Sequence, residues 1–216
     1  MTWTTAHRNA AIDVVFAKAP VLPVIVIDHL EQAVPLARAL VQGGLPVLEV
    51  TLRTPVALEA MRRIAAEVDG AVLGAGTVLT PADLDAAVAA GCSFAISPGA
   101  TAALYHAADS SPIAWLPAVA TASEVMQGLA HGHQRFKFFP AMSSGGIPAL
   151  KGFAGPFPQV RFCPTGGIDA MRAPDFLAQP NVGTVGGSWM LPKDAVAQGD
   201  WARITALAAE AAGLRR

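Results

Sequence analysis

The sequence predicts an α/β fold, a single (β/α)8 TIM barrel with one helix ahead of its first strand. Three observations carry that expectation. Short apolar runs rich in β-branched residues alternate with Ala- and Leu-rich stretches of helical period along the 216 residues. The runs are apolar on both faces, which marks parallel strands covered by helices. No linker, low-complexity tract, repeat or break in composition divides the chain, so 1–216 reads as one domain. A doubly wound open sheet is the alternative.

Each element follows from its local pattern. Residues 6–18 form the leading helix. The first strand and helix lie at 22–27 and 30–42, with Glu31, Arg38 and Gln42 facing outward, and the second unit at 47–51 and 55–68. The third is 71–75 and 81–90, where Thr80 suits an N-cap and Pro81 a first helical position. The fourth is 93–96 with a short helix near 102–108, and the fifth 114–118 with 122–131, capped by Thr121 or Ser123. The sixth strand, 136–139, leads through a glycine-containing loop to a helix near 147–152. The seventh unit is 160–163 and 174–177, and the eighth 182–185 with the closing helix 201–212.

Composition excludes several classes of function. The chain is 53% hydrophobic and only 14% charged, against about 25% charged in ordinary soluble domains. Such a chain can bury enough surface to order itself, so disorder is ruled out. The long uncharged runs 86–108 and 176–192 are interrupted by glycine, proline and polar residues, so neither is a membrane span. Residues 1–8 are polar and begin no signal peptide. A net charge of −1 gives no basic surface for nucleic acid or an anionic membrane. Cys92 and Cys163 make neither a disulfide framework nor a metal pattern, which fits a reduced cytoplasm.

Barrel active sites sit at the C-terminal ends of the strands, so polar residues there are the candidates. On the second strand, period two places Val47, Glu49, Thr51 and Arg53 on one face and Leu48, Val50 and Leu52 on the other. Glu49 and Arg53 then point into the barrel or its mouth. They read as a structural pair neutralising each other, or as a proton-transfer carboxylate and an anion-binding guanidinium. The third strand ends Gly74-Ala75-Gly76-Thr77, where glycine admits a substrate close to the backbone and Thr77 offers a hydroxyl.

Lys137 is the sharpest signal. It stands in Arg135-Phe136-Lys137-Phe138-Phe139-Pro140, one of only four lysines among 15 basic residues. A lysine inside a strand is unfavourable unless paired or functional, the exception being an edge lysine that snorkels to water. Apolar walls favour a free amine, which a Schiff-base nucleophile needs. The seventh and eighth strands end in Thr165-Gly166-Gly167-Ile168 and Gly186-Gly187-Ser188-Trp189. Loops in those places bind phosphate in many barrels, although glycine pairs also make plain tight turns. His131 and His133 lie at a helix end away from the strand ends, and no His, Asp or Glu cluster meets a metal geometry. No metal or other cofactor is expected.

Taken in order, the strings PVIVI, LEVTLRT, GAGTVL, FAISPG, KFFPA, FCPTGGI and GGSW resemble the 2-keto-3-deoxy-6-phosphogluconate aldolase and 4-hydroxy-2-oxoglutarate aldolase family. The resemblance runs from about Pro20 to Pro192. It implies a cofactor-free class I aldolase, cytoplasmic and homotrimeric, acting on a small-molecule substrate with no nucleic-acid or membrane partner. It makes Lys137 the Schiff-base lysine and Glu49 the general acid and base. Arg53 and Thr77 would hold the pyruvate carboxylate. Thr165, Gly166, Gly167, Gly186, Gly187 and Ser188 would line the phosphate end, with Phe139 as a wall. Met142 departs from the family pattern, standing where an acidic residue often follows Pro-Ala; Ala118 and Ala122 replace a common glycine and proline. A phosphosugar isomerase or epimerase, with Lys137 acting only electrostatically, and a non-catalytic phosphometabolite-binding barrel are the competing readings.

Overall fold

In the computed structural model, which describes residues 3–214, strand and helix alternate from the first helix onward. α1 (Thr5–Lys18) leads into β1 (Val21–Ile25), a 3-10 turn (Leu30–Gln32) and α2 (Ala33–Gln42). The pattern repeats as β2 (Val47–Thr51) and α3 (Ala57–Glu67), β3 (Val72–Gly76) and α4 (Pro81–Ala89), β4 (Phe94–Ile96) and α5 (Ala102–Ser110). Two short strands, β5 (Ala114–Leu116) and β6 (Ala118–Val119), precede α6 (Ala122–Ala130). Then come β7 (Arg135–Phe138) and α7 (Gly146–Ala154), β8 (Arg161–Pro164) and α8 (Ala173–Leu177), β9 (Val185–Gly187), α9 (Lys193–Gln198) and α10 (Trp201–Ala212). The two best-marked helix starts are as expected. Thr80 and Thr121 each accept from the backbone three residues on, and Asp83 and Glu124 complete capping boxes.

Three elements differ from the pattern reading. The strand expected at 114–118 is split, because Pro117 has no N–H to give the ladder; its carbonyl still accepts from the Lys137 N–H at 2.9 Å. The last strand lies later than 182–185. Its Gly186 and Gly187 carry little β propensity, and pairing with Leu22 and Pro23 is what fixes them. Helix α9 was not expected at all, since six residues are too few to show a helical period.

Every strand pairing is parallel. The strands form a six-stranded sheet in the order β5-β4-β3-β2-β1-β9 and a three-stranded sheet β6-β7-β8. In place of the expected single eight-stranded ring, the strands make a curled parallel sheet in two hydrogen-bonded parts, which separate at Pro117 and again between β8 and β9. The order lacks the reversal point of a doubly wound sheet. Isolated bridges Phe162↔Val182 and Thr165↔Gly186 run between β8 and the β9 segment.

Burial separates two cores. The larger lies between strands and outer helices and holds Leu48, Val50, Phe136, Phe138 and Phe162. The smaller is interior. Leu22, Val47, Phe94, Ile96, Leu116 and Cys163, drawn from both sheets, meet Ile12, Val15 and Phe16 of α1. The leading helix therefore packs across the ends of the strands. Its polar face is fastened by Arg8 to Asp109, by a bidentate Arg135–Asp13 pair at 2.6 and 2.8 Å, and by Asn9 donating to Gln134 at 2.7 Å. No helix among the described residues is long and apolar enough to cross a membrane.

His133 belongs to this fastening. Arg8 donates to its Nε2 at 3.2 Å, and the rings of Tyr105 and Trp115 pack beside it. Burial, with Arg8 and His131 alongside, lowers its pKa from 6.5 to about 3. The unfolded chain therefore takes up a proton between pH 6.5 and 3 that the folded chain refuses, and stability falls as pH falls through that window. From pH 7 to 5 this imidazole alone should remove roughly 2 kcal/mol of unfolding free energy. Urea unfolding at the two pH values checks it, with the loss reduced in His133→Gln and undiminished there if the account is wrong.

Candidate active site

Lys137 and Glu49 come from different sheets and meet in the interior between them. Lys137 Nζ donates to Glu49 Oε1 at 2.8 Å, and the two residues are 4% and 1% exposed. Strand period puts both on the inner face: Leu48 and Val50, and Phe136 and Phe138, face the outer helices. The lysine's strand neighbours are small, Ala118 on β6 and Cys163 on β8. Burial pushes the Cys163 thiol up to about 12, so the group beside the lysine is a neutral one. The carboxylate depends on Gly76, where a Cβ would overlap Glu49 Oε1 and come within 2.6 Å of its Cγ. Thr51, one step further along β2, is buried and donates to Ile25 O at 2.9 Å.

The mouth holds the other expected residues. Arg53 does not pair with Glu49, whose ion pair is to Lys137. It lies beyond the end of β2, exposed, and its Nε donates to Thr77 Oγ1 at 3.1 Å. Thr77 has φ of 59°, the one non-glycine residue with positive φ among those described. Such a conformation is strained, and it turns the hydroxyl toward Arg53 at the strand end. The Phe139 ring centroid lies 5.4 Å from Lys137 Nζ.

The two glycine loops sit side by side. Thr165 is buried, with Oγ1 3.4 Å from Cys163 O, and it bridges to Gly186, where a Cβ would overlap that hydroxyl. Gly166 and Gly167 have φ of 108° and 75°, which glycine adopts without strain. The loop after β7 is tied to this one, Ala141 N–H donating to Thr165 O at 2.8 Å and Met142 N–H to Gly166 O at 3.1 Å. Met142 packs on Gly167 and faces a separate cavity with Phe176 and Arg172. Ser188 is exposed at the end of β9.

Three residues that the sequence pattern does not group come together in the structure. Asp28, His29 and Lys193 line a cavity of about 540 Å³ together with Ser188. The signal available was position alone: Asp28 and His29 directly follow the strand that the sequence predicts at 22–27. No group of three His, Cys, Asp or Glu residues among the described ones could hold a metal, and His131 stacks on Tyr105 at 4.2 Å instead.

Residues 12–207 match the family model for KDPG and KHG aldolase. The chain belongs to that family. It is 54% identical over 209 residues to the 2-dehydro-3-deoxy-phosphogluconate aldolase of Dickeya dadantii, covering 97% of this chain and 96% of that one. Its fold superposes with a TM-score of 0.91 on the KDPG aldolase of Legionella pneumophila, solved with pyruvate captured as a covalent carbinolamine. That pair shares 51% identity over 93% of this chain and 98% of the other. A TM-score of 0.90 relates it to the Zymomonas mobilis aldolase solved with 3-phosphoglycerate, 55% identical over 95% and 96% of the two chains. The chain is thus an aldolase, an aldehyde-lyase, and the isomerase, epimerase and ligand-binding readings fall away.

The buried pair makes a stability prediction of its own. Lys137→Met leaves Glu49 buried without a partner and should cost about 3 kcal/mol. The double variant Lys137→Met with Glu49→Gln should recover most of that loss in chemical denaturation. A single variant as stable as the parent would contradict the geometry.

Proposed function

We propose that this aldolase cleaves 2-keto-3-deoxy-6-phosphogluconate, or a close 2-keto-3-deoxy sugar acid phosphate, to pyruvate and glyceraldehyde 3-phosphate. The observation that carries the reading is the Lys137–Glu49 contact, an amine and a proton acceptor 2.8 Å apart in a dry interior. The proton on Lys137 passes to Glu49 along that hydrogen bond. The free amine then attacks the C2 ketone and gives a carbinolamine. Protonated Glu49 returns the proton to the C2 hydroxyl, water leaves, and an iminium forms.

The iminium draws electrons from the C3–C4 bond. As that bond breaks, the C4 hydroxyl proton goes to Glu49, directly or through water, and C4 becomes the aldehyde of glyceraldehyde 3-phosphate. The enamine left on Lys137 takes a proton at C3 from Glu49, directly or through water, which restores the carboxylate. Water then adds to the resulting iminium, and pyruvate departs with Lys137 restored. Arg53 and Thr77, already joined at 3.1 Å, hold the substrate carboxylate at the mouth. Thr165, Gly166, Gly167, Gly186, Gly187 and Ser188 receive the phosphate end, and Phe139 walls the lysine. The bound 3-phosphoglycerate of the Zymomonas mobilis enzyme supports a phosphorylated three-carbon product.

The same reading extends to architecture. Residues 1–216 form one domain in which the two sheets close as a (β/α)8 barrel, supported by the bridges between β8 and the β9 segment and by an interior core drawn from both sheets. The family resemblance and low charge support a homotrimer working in the cytoplasm.

A pyruvate-coupled assay tests the reaction. The phosphorylated gluconate derivative should turn over faster than its galactonate epimer or 4-hydroxy-2-oxoglutarate. Glu49→Gln should lower kcat by about 10²- to 10⁴-fold, and Lys137→Met should abolish turnover. Undiminished turnover in Lys137→Met would overturn the proposal.

A further inference from the structure

Resting on the proposed reaction, we infer that Lys193 is a specificity-determining residue, supplying the positive charge that favours a phosphorylated substrate over its unphosphorylated counterpart. A phosphate monoester carries about −1.5 to −2 charge at pH 7. The residues assigned to its end of the site, Thr165, Gly166, Gly167, Gly186, Gly187 and Ser188, offer backbone and hydroxyl groups and no cation. Arg172, the cation that follows the Gly166–Gly167 loop, is ion-paired to Asp169 and faces a different cavity.

Lys193 lies on the correct side. It lines the cavity of about 540 Å³ that includes Ser188, beside Val26 at the open end of β1. The turn in which Leu191 N–H donates to Ser188 O brings the segment from Ser188 to Lys193 back on itself. Lys193 makes no ion pair or side-chain hydrogen bond among the described residues, so its charge is not already neutralised. Asp28 and His29 line the same cavity. The Asp28 carboxylate opposes an anion, and its removal should strengthen the preference that removal of Lys193 weakens.

The test compares kcat/KM for 2-keto-3-deoxy-6-phosphogluconate with that for 2-keto-3-deoxygluconate, the same skeleton without phosphate. In Lys193→Met the ratio should fall about three- to sixfold at low ionic strength, through KM for the phosphorylated substrate rather than kcat. Lys193→Glu should lower it further, and Asp28→Asn should raise it. The Lys193 effect should vanish near 1 M salt, where screening acts over about 3 Å. A ratio unchanged in both Lys193 variants, or a change that persists in high salt, overturns the inference. Release of pyruvate by the parent enzyme separates the two claims. Its absence overturns the reaction and this inference together, whereas release with an unmoved ratio overturns this inference alone.

Discussion

A single ion pair organises the molecule. Lys137 on β7 and Glu49 on β2 belong to different sheets, and their 2.8 Å contact spans the interior that the sheets enclose. Two charges that are 4% and 1% exposed are tolerable only together, because either alone would lie in an apolar interior without compensation. Replacing both with packed apolar residues could leave the fold equally stable, so the pair's presence points to chemistry.

The surroundings are shaped to that pair. Space for the carboxylate exists because Gly76 has no Cβ, and space for the lysine because Ala118 and Cys163 flank it. Beneath, the Phe94 ring fills the room left at Gly74, and Ile12, Val15 and Phe16 of α1 complete the interior packing. The pair thus rests on a dry floor, while Arg53, Thr77 and Ser188 stand at the wetter mouth. One end of the interior is apolar and fastened by Arg8, Asp13 and His133, and the other carries the hydrogen-bonding groups. The leading helix serves the site indirectly, by completing the apolar packing of that floor.

Much of this was legible in the sequence, for identifiable reasons. The two-residue period of LEVTLR gave the inward face, and a lysine between phenylalanines was conspicuous in a chain with four lysines. What the pattern could not give was the partner. Period two assigns residues to a face but says nothing about which face lies opposite, so Glu49 reads either as a structural partner of Arg53 or as a proton-transfer carboxylate, and its contact with Lys137 is tertiary information. The break at Pro117 and the late start of β9 depend on where a neighbouring strand supplies hydrogen bonds, which is tertiary information. Nothing in the sequence groups Asp28 and His29 with Lys193, because residues far apart in sequence become one cavity only after folding.

The central claim is that Lys137 forms the covalent bond to substrate. The direct measurement is peptide mass spectrometry after treating the enzyme with pyruvate and borohydride, which reduces an imine to a stable secondary amine. The account predicts one reduced pyruvate on the peptide containing Lys137, with irreversible loss of activity that needs both reagents. A peptide of unmodified mass, or a modification on Lys18, Lys151 or Lys193 instead, would contradict it.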